Sequence, residues 1–95
     1  MKDYISIDLR DVTDSEELQI FLQKKLDFPD FYGKNWDAFW DTITGLKKLP
    51  QNITFKHWDI LKKRLPEDAE SLMELLNDFN EEYPEWKINW HIENK

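Results

Sequence analysis

Two aspartates lie one helical turn apart in a segment that holds three aromatic residues and no basic residue. On a helix over residues 35–44, the Asp37 and Asp41 carboxylates face the same way and repel each other by roughly a few tenths of a kcal/mol. Asp41 also falls in the last turn before Gly45, where the helix dipole favours a cation by roughly 0.3–1 kcal/mol. Lys34, just ahead of the helix, is placed to relieve only Asp37. Such weakly compensated charge is typical of functional sites, and it indicates a cationic partner.

Catalytic chemistry finds little support elsewhere in the chain. His57 and His91 are the only histidines, cysteine is absent, and no serine-nucleophile motif accompanies them. A hydrolase would need Asp37 and Asp41 to differ in pKa, yet one helix turn gives them similar surroundings. We therefore expect no catalytic residues and no enzyme activity. Turnover of a glycoside or phosphoester that is lost in Asp37→Asn would contradict this expectation.

Metal and cofactor sites are also not expected. The acidic residues lack the spacing of a calcium-binding loop, and the chain has no cysteine or paired-histidine ligand set. Phosphate-binding loops require clustered glycines, whereas Gly33 and Gly45 are the only two glycines here.

Composition limits the class of partner and the compartment. The 95 residues form one domain, 1–95, with 20 acidic and 13 basic residues and a formal charge of −7. This charge argues against binding to nucleic acid or to an anionic membrane, and it favours a basic protein partner. The absence of cysteine favours a cytoplasmic location, and no segment approaches the roughly 20 apolar residues of a membrane span.

The acidic helix is predicted to sit within a small α/β domain. Period-two and period-3.6 hydrophobic patterns alternate along the chain, which indicates a mainly parallel three-stranded sheet packed by about four helices. The predicted strands are 4–7, 53–55 and 86–93, and the predicted helices are 14–26, 35–44, 57–65 and 66–82.

Several local features refine this prediction. A capping box at 13–16 is expected to start the first helix. The alternating pattern of the last run places Trp86 and Trp90 on the same, packed side of a strand. Trp40 is expected to border both the core and the two acids. Acidic residues at steps of four, such as Glu74 and Asp78, are most often a solvated helix face.

Residues 31–45 resemble the signature of the barstar family, the bacterial inhibitors of the ribonuclease barnase. The resemblance includes the Tyr-Gly-Lys-Asn turn at 32–35, the Asp-Ala-Phe-Trp-Asp core at 37–41 and the Thr-Gly pair at 44–45. It continues more weakly through Ala-Glu-Ser at 69–71. It implies a three-stranded parallel sheet packed by helices, and inhibition of a secreted ribonuclease while that enzyme is still inside the cell.

The resemblance also implies a set of partner-binding residues and their roles. Asp41 resembles the acid that enters the phosphate-binding site of the enzyme, where it stands in for substrate phosphate. The expected partner is a basic, barnase-like bacterial ribonuclease, bound by a monomer in a 1:1 complex. The implied partner-binding residues are Phe31, Asp37, Trp40, Asp41, Thr44, Gly45, Leu46 and Asp78.

Three of these positions depart from the family pattern. Phe31 replaces a tyrosine that packs on the enzyme, Leu46 replaces an aromatic residue, and Asp78 replaces a glutamate that is longer by one methylene. These departures leave the identity of the target open. An alternative hypothesis is that the chain is an acidic interaction module that binds another basic protein without inhibiting a nuclease.

Overall fold

The computed structural model describes residues 3–46 and 48–94, and it contains one parallel sheet with helices packed against it. The predicted fold class is confirmed. The elements, in chain order, are β1 (Tyr4–Asp8), α1 (Ser15–Lys25), α2 (Trp36–Asp41), a π-helical turn (Thr42–Leu46), β2 (Asn52–Lys56), α3 (Trp58–Arg64), α4 (Pro66–Glu82), a 3₁₀ turn (Pro84–Trp86) and β3 (Asn89–Glu93).

The sheet has the strand order β1-β2-β3, and both neighbouring pairs are parallel. Ile5 pairs with Ile53, which in turn pairs with Trp90. β2 is the central strand, and its residues Ile53, Thr54 and Phe55 are buried. Its mostly apolar run is typical of a parallel strand covered by other elements.

The core forms where the apolar stripes of the helices meet the sheet. α4 begins with Pro66 at its first turn, where a missing N–H costs nothing, and it buries Leu72, Leu76 and Phe79. Fully buried side chains come from every layer, namely Ile7, Leu9, Leu18, Leu22, Phe39, Phe55, Leu61, Leu72 and Leu76. α2 is anchored in this core by Phe39, whose ring packs edge-on against Phe28 and Trp36.

Several boundaries differ from the sequence-based expectation by a residue or more, and three of them bear on the site or on its scaffold. The N-cap of α1 is Asp14, which accepts from the Glu17 N–H at 2.8 Å, so the cap lies one residue later than expected. α2 ends at Asp41 and continues as the π-helical turn. The last strand begins only at Asn89, because the chain after Pro84 first makes a 3₁₀ turn. The expected packing of Trp86 in a strand is wrong, since Trp86 lies in that turn and is 50% exposed.

Candidate functional site

A groove between α2 and α4 brings four of the predicted partner-binding residues together. Asp37, Trp40 and Asp41 form its α2 wall, and Asp78 lies on its α4 wall. We call this the acidic groove, and its lining residues are Trp36, Asp37, Trp40, Asp41, Ser71, Glu74, Leu75 and Asp78. A neighbouring depression extends it along α4 past Asp78 to Glu81 and Glu82.

The loop before α2 fixes where this helix starts. Asn35 is the N-cap, and its side-chain oxygen accepts from the Ala38 N–H at 2.7 Å. The buried Tyr32 hydroxyl donates to the Gln19 side chain on α1, and it lies 3.2 Å from the Asn35 backbone oxygen. Burial raises the pKa of Tyr32, so this hydroxyl stays protonated and keeps its donor.

The turn itself depends on a close approach more than on glycine flexibility. Lys34 takes the left-handed conformation, with φ 56°, and Gly33 has no positive φ. A Cβ atom built on Gly33 would lie 3.1 Å from the Ala38 Cβ, tighter than normal packing. A side chain at position 33 would therefore require the loop or the first turn of α2 to shift slightly.

The two acids of α2 are exposed, and no described residue pairs with either of them. Within residues 3–46 and 48–94, no side-chain hydrogen bond or ion pair engages the carboxylate of Asp37 or Asp41. The last turn of α2 has no basic residue, and Lys34 forms no ion pair with Asp37 in the described part of the chain. Both carboxylates are thus free to accept hydrogen bonds from a cationic partner.

The π-helical turn positions a second group of predicted residues. The Thr42 hydroxyl donates to the Ala38 carbonyl and the Thr44 hydroxyl to the Trp40 carbonyl, each at 2.7 Å. These bonds tie the turn to α2 and leave the oxygen lone pairs of Thr44 for an incoming donor. Gly45 faces open space, and a side chain there would meet nothing within 4 Å.

An apolar pocket of about 380 Å³ lies on the other side of this turn. It lies between the π-helical turn, the end of α4 and the 3₁₀ turn, and its apolar and small lining residues are Ile43, Thr44, Gly45, Leu46, Leu49, Phe79, Tyr83, Trp86 and Ile88. Leu46 is 62% exposed at this pocket. The Lys48 ammonium, which also lines it, lies 4.3 Å from the centre of the Trp86 ring.

Phe31 lines neither the acidic groove nor the apolar pocket. It lies in the loop between α1 and α2, and its side chain is 77% exposed. The sequence reasoning missed the contributions of Trp36 and Glu74 to the groove. For Glu74 the only signal was the step-of-four pattern of acids on α4, which by itself also fits a solvated face.

Comparison with known proteins decides the family. A family model described as Barstar (barnase inhibitor) matches residues 3–94. The chain is also 40% identical over 85 residues to the protein named "Putative ribonuclease inhibitor YrdF" from Bacillus subtilis (strain 168), an alignment that covers 88% of this chain and 93% of that relative. The chain belongs to the barstar family.

Membership of the barstar family answers the question of enzyme activity. Proteins of this family are inhibitors and not enzymes, which confirms that expectation for this chain. Among the described residues, no group of three or more His, Cys, Asp or Glu side chains is arranged to hold a metal ion. Over the same residues, no helix has the length and apolar character needed to cross a membrane.

Proposed function

We propose that the chain inhibits a basic, barnase-like ribonuclease by covering its active site with α2, the loop before it and the π-helical turn after it. The observation that carries the proposal is the pair of exposed carboxylates of Asp37 and Asp41 beside Trp40 in the acidic groove, which no ion pair among the described residues engages. The family and the named relative support a ribonuclease as the kind of partner.

The chemistry of the two surfaces is complementary. A ribonuclease site that holds phosphate offers Arg, Lys and His side chains, which donate charge-assisted hydrogen bonds to carboxylates. Asp41 would occupy the phosphate position, and Asp37 would meet a neighbouring cation. The repulsion between the two acids in the free protein is then offset in the complex, because each gains an opposite charge.

Apolar groups next to the acids would exclude water from these charge pairs. Trp40 lines the groove, Phe31 is exposed in the preceding loop, and Leu46 lies at the apolar pocket beyond Thr44 and Gly45. Aromatic side chains at the centre of an interface typically carry much of its affinity. Asp78 would add a carboxylate from α4, one methylene shorter than the family's glutamate.

A titration of enzyme activity tests the proposal. The purified chain is added to barnase and to other small basic bacterial ribonucleases, and cleavage of RNA is measured. We expect inhibition that saturates at one chain per enzyme, as a 1:1 complex requires. Binding of a basic protein without loss of RNA cleavage would favour the acidic interaction module instead. We propose a cytoplasmic location, because an inhibitor of a secreted ribonuclease must act while that enzyme is still inside the cell.

A further inference from the structure

A single carboxylate joins the first turns of three helices. Asp68 lies in the first turn of α4 and is half-buried. Its Oδ1 atom accepts from the Trp36 indole N–H at 2.9 Å, and its Oδ2 atom accepts from the Ser15 hydroxyl. Trp36 is the first residue of α2 and Ser15 the first of α1, so Asp68 links the starts of α1, α2 and α4.

The link to Trp36 matters because α2 is short. A helix of six residues is far below the roughly 12–15 residues at which isolated helices become even marginally stable, so tertiary contacts must hold it. Across residues 3–46 and 48–94, the bond from Trp36 to Asp68 is the only side-chain hydrogen bond between α2 and α4. Trp36 also lines the acidic groove that separates the two helices.

The bond between Trp36 and Asp68 therefore affects the spacing between the acids on α2 and the acid on α4. Asp37 and Asp41 belong to α2, whereas Asp78 belongs to α4. A partner that engages both walls of the groove must match the spacing between them. That spacing depends on how α2 lies against α4. Burial of Phe39 holds the middle of α2 in the core, and the bond from Trp36 to Asp68 ties the start of α2 to α4.

We propose that Asp68 is a positioning residue that holds α2 against α4 and so sets the spacing of the inhibitory acids. The inference rests on the proposed function for its consequence in inhibition, and its structural part is testable without a partner. Asp68 does not line the groove, so it acts through Trp36 and not by touching the ribonuclease.

Three variants separate positioning from charge and from general stability. Asp68→Ala removes both hydrogen bonds. Asp68→Asn removes the charge and keeps an oxygen that accepts from Trp36, with an amide that can donate to the Ser15 hydroxyl. Ser15→Ala removes only the bond to α1. Each protein is first tested by thermal unfolding, so that changes in binding can be compared with changes in stability.

Dissociation of the ribonuclease complex gives the first readout. We expect Asp68→Ala to speed dissociation on the order of fivefold, in the range of coupling between residues that share a contact. Asp68→Asn should restore most of this loss, and Ser15→Ala should leave the rate within about twofold of the unmodified chain. Equal effects of Asp68→Ala and Asp68→Asn would show that only the charge matters. A loss in Ser15→Ala as large as that in Asp68→Ala would show a general stability effect. Either result overturns the proposal.

Hydrogen exchange of the free protein gives the second readout. The Phe39 and Thr42 N–H groups, which bond to the Asn35 and Ala38 carbonyls, should exchange faster in Asp68→Ala, while α1 amides such as Leu22 stay protected. Unchanged α2 exchange would overturn the positioning role whatever the ribonuclease assay shows. Faster α2 exchange in a chain that inhibits no ribonuclease would keep the positioning role and remove the proposed function. Should Asp68→Ala not fold, Trp36→Phe removes the donor and the same α2 amides are compared with those of Ser15→Ala.

Discussion

Asp41 on α2 and Asp78 on α4 line the same acidic groove, although the whole of β2 and α3 separates them in the chain. A cationic enzyme site that enters the groove would meet both carboxylates at once. The two acids differ in setting. Asp41 lies at the end of α2, whose last turn has no basic residue, and Asp78 lies within a long helix. This difference makes their contributions separable by mutation.

Asp41→Ala is expected to weaken inhibition far more than Glu74→Ala, although both residues line the groove. Loss of one partner of a buried, hydrogen-bonded charge pair costs about 2–5 kcal/mol of affinity, a range drawn in part from complexes of this family. A partly solvated acid at the edge of an interface contributes about 0–1 kcal/mol. Titration of a fixed amount of ribonuclease with each variant measures both effects. Small and equal effects would remove Asp41 from its assigned role.

Salt should change the rate of association with the ribonuclease more than the rate of dissociation. The acids of the groove and the formal charge of −7 attract a basic enzyme over distances that salt screens, with a Debye length of about 10 Å at 0.1 M. Stopped-flow rates should show association slowing more with salt than dissociation speeds up. The double variant Asp37→Asn and Asp41→Asn is the control, and its association rate should vary less with salt. An association rate that does not respond to salt would argue against electrostatic steering.

Phe31→Ala should reduce affinity without reducing stability. The ring is 77% exposed and takes part in none of the aromatic contacts of the described residues, so its removal should change the free energy of unfolding by less than about 0.5 kcal/mol. An aromatic anchor that is buried on binding is typically worth about 1 kcal/mol or more. The matched control is Ile92→Ala. It also truncates an exposed apolar side chain, but one that lies on β3, and it should leave inhibition unchanged. Equal inhibition by the unmodified protein, Phe31→Ala and Ile92→Ala would place Phe31 outside the interface.

The sequence predicted the scaffold better than the surface it presents. α4 has its predicted bounds, because Pro66 starts it, the 3.6-residue apolar period continues through it, and Pro84 follows its end. The sequence predicts one helix over 35–44 and does not indicate that its end becomes a π-helical turn, where the Thr42 and Thr44 hydroxyls donate back to α2 carbonyls. The prediction for Trp86 is wrong because the alternation of apolar and polar residues fits a strand from residue 86 onward. In the structure Pro84–Trp86 form a 3₁₀ turn instead.

The acidic groove illustrates a similar division. Asp37 and Asp41 were predictable as a pair, because helical spacing alone places them on one side. The approach of Glu74 and the link from Asp68 to Trp36 depend on how α4 crosses α2, and no local pattern encodes this. Residues that act between elements were therefore accessible only from the structure.

The N-caps of α1 and α2 offer a matched pair for testing how α2 supports inhibition. Asp14 and Asn35 each accept a backbone N–H with a side-chain oxygen, at 2.8 and 2.7 Å. Asp14→Ala and Asn35→Ala should each lower the free energy of unfolding by about 0.5–2 kcal/mol. Only Asn35→Ala should also weaken inhibition, because its helix carries the acids. Asn35→Asp keeps the acceptor at the cap but loses the amide that donates to the Gly33 carbonyl at 3.3 Å, so it should restore most of the stability. No recovery of stability would argue that the cap bond is not the main cause.

Asp8, at the carboxyl end of the sheet, should contribute to the loss of stability of the protein in acid. Asp8, at the end of β1, accepts from the Arg10 backbone N–H at 3.0 Å, which is the main cause that lowers the pKa of this carboxyl. His57, whose Nδ1 atom lies 2.9 Å from Asp8 Oδ1, and the Arg10 guanidinium lower the pKa of Asp8 further. A carboxyl whose pKa is lower in the folded than in the unfolded state binds fewer protons when folded. The stability it contributes is therefore complete above its ordinary pKa of 3.8 and is lost as the pH falls through the lower folded value.

Asp8→Asn should accordingly destabilise the protein at neutral pH and flatten the loss of stability below about pH 4, because the group that takes up the proton is gone. Urea unfolding at pH 7 and pH 3 measures both effects. Asp11→Asn is the control, since the Asp11 side chain is exposed and makes no hydrogen bond or ion pair within the described residues. A variant lacking Asp8 that still lost stability in acid as steeply as the unmodified protein would show that other carboxyls dominate. Because Asp8 also joins β1 to the β2–α3 connection through His57, the loss at pH 7 should exceed that of Asp11→Asn.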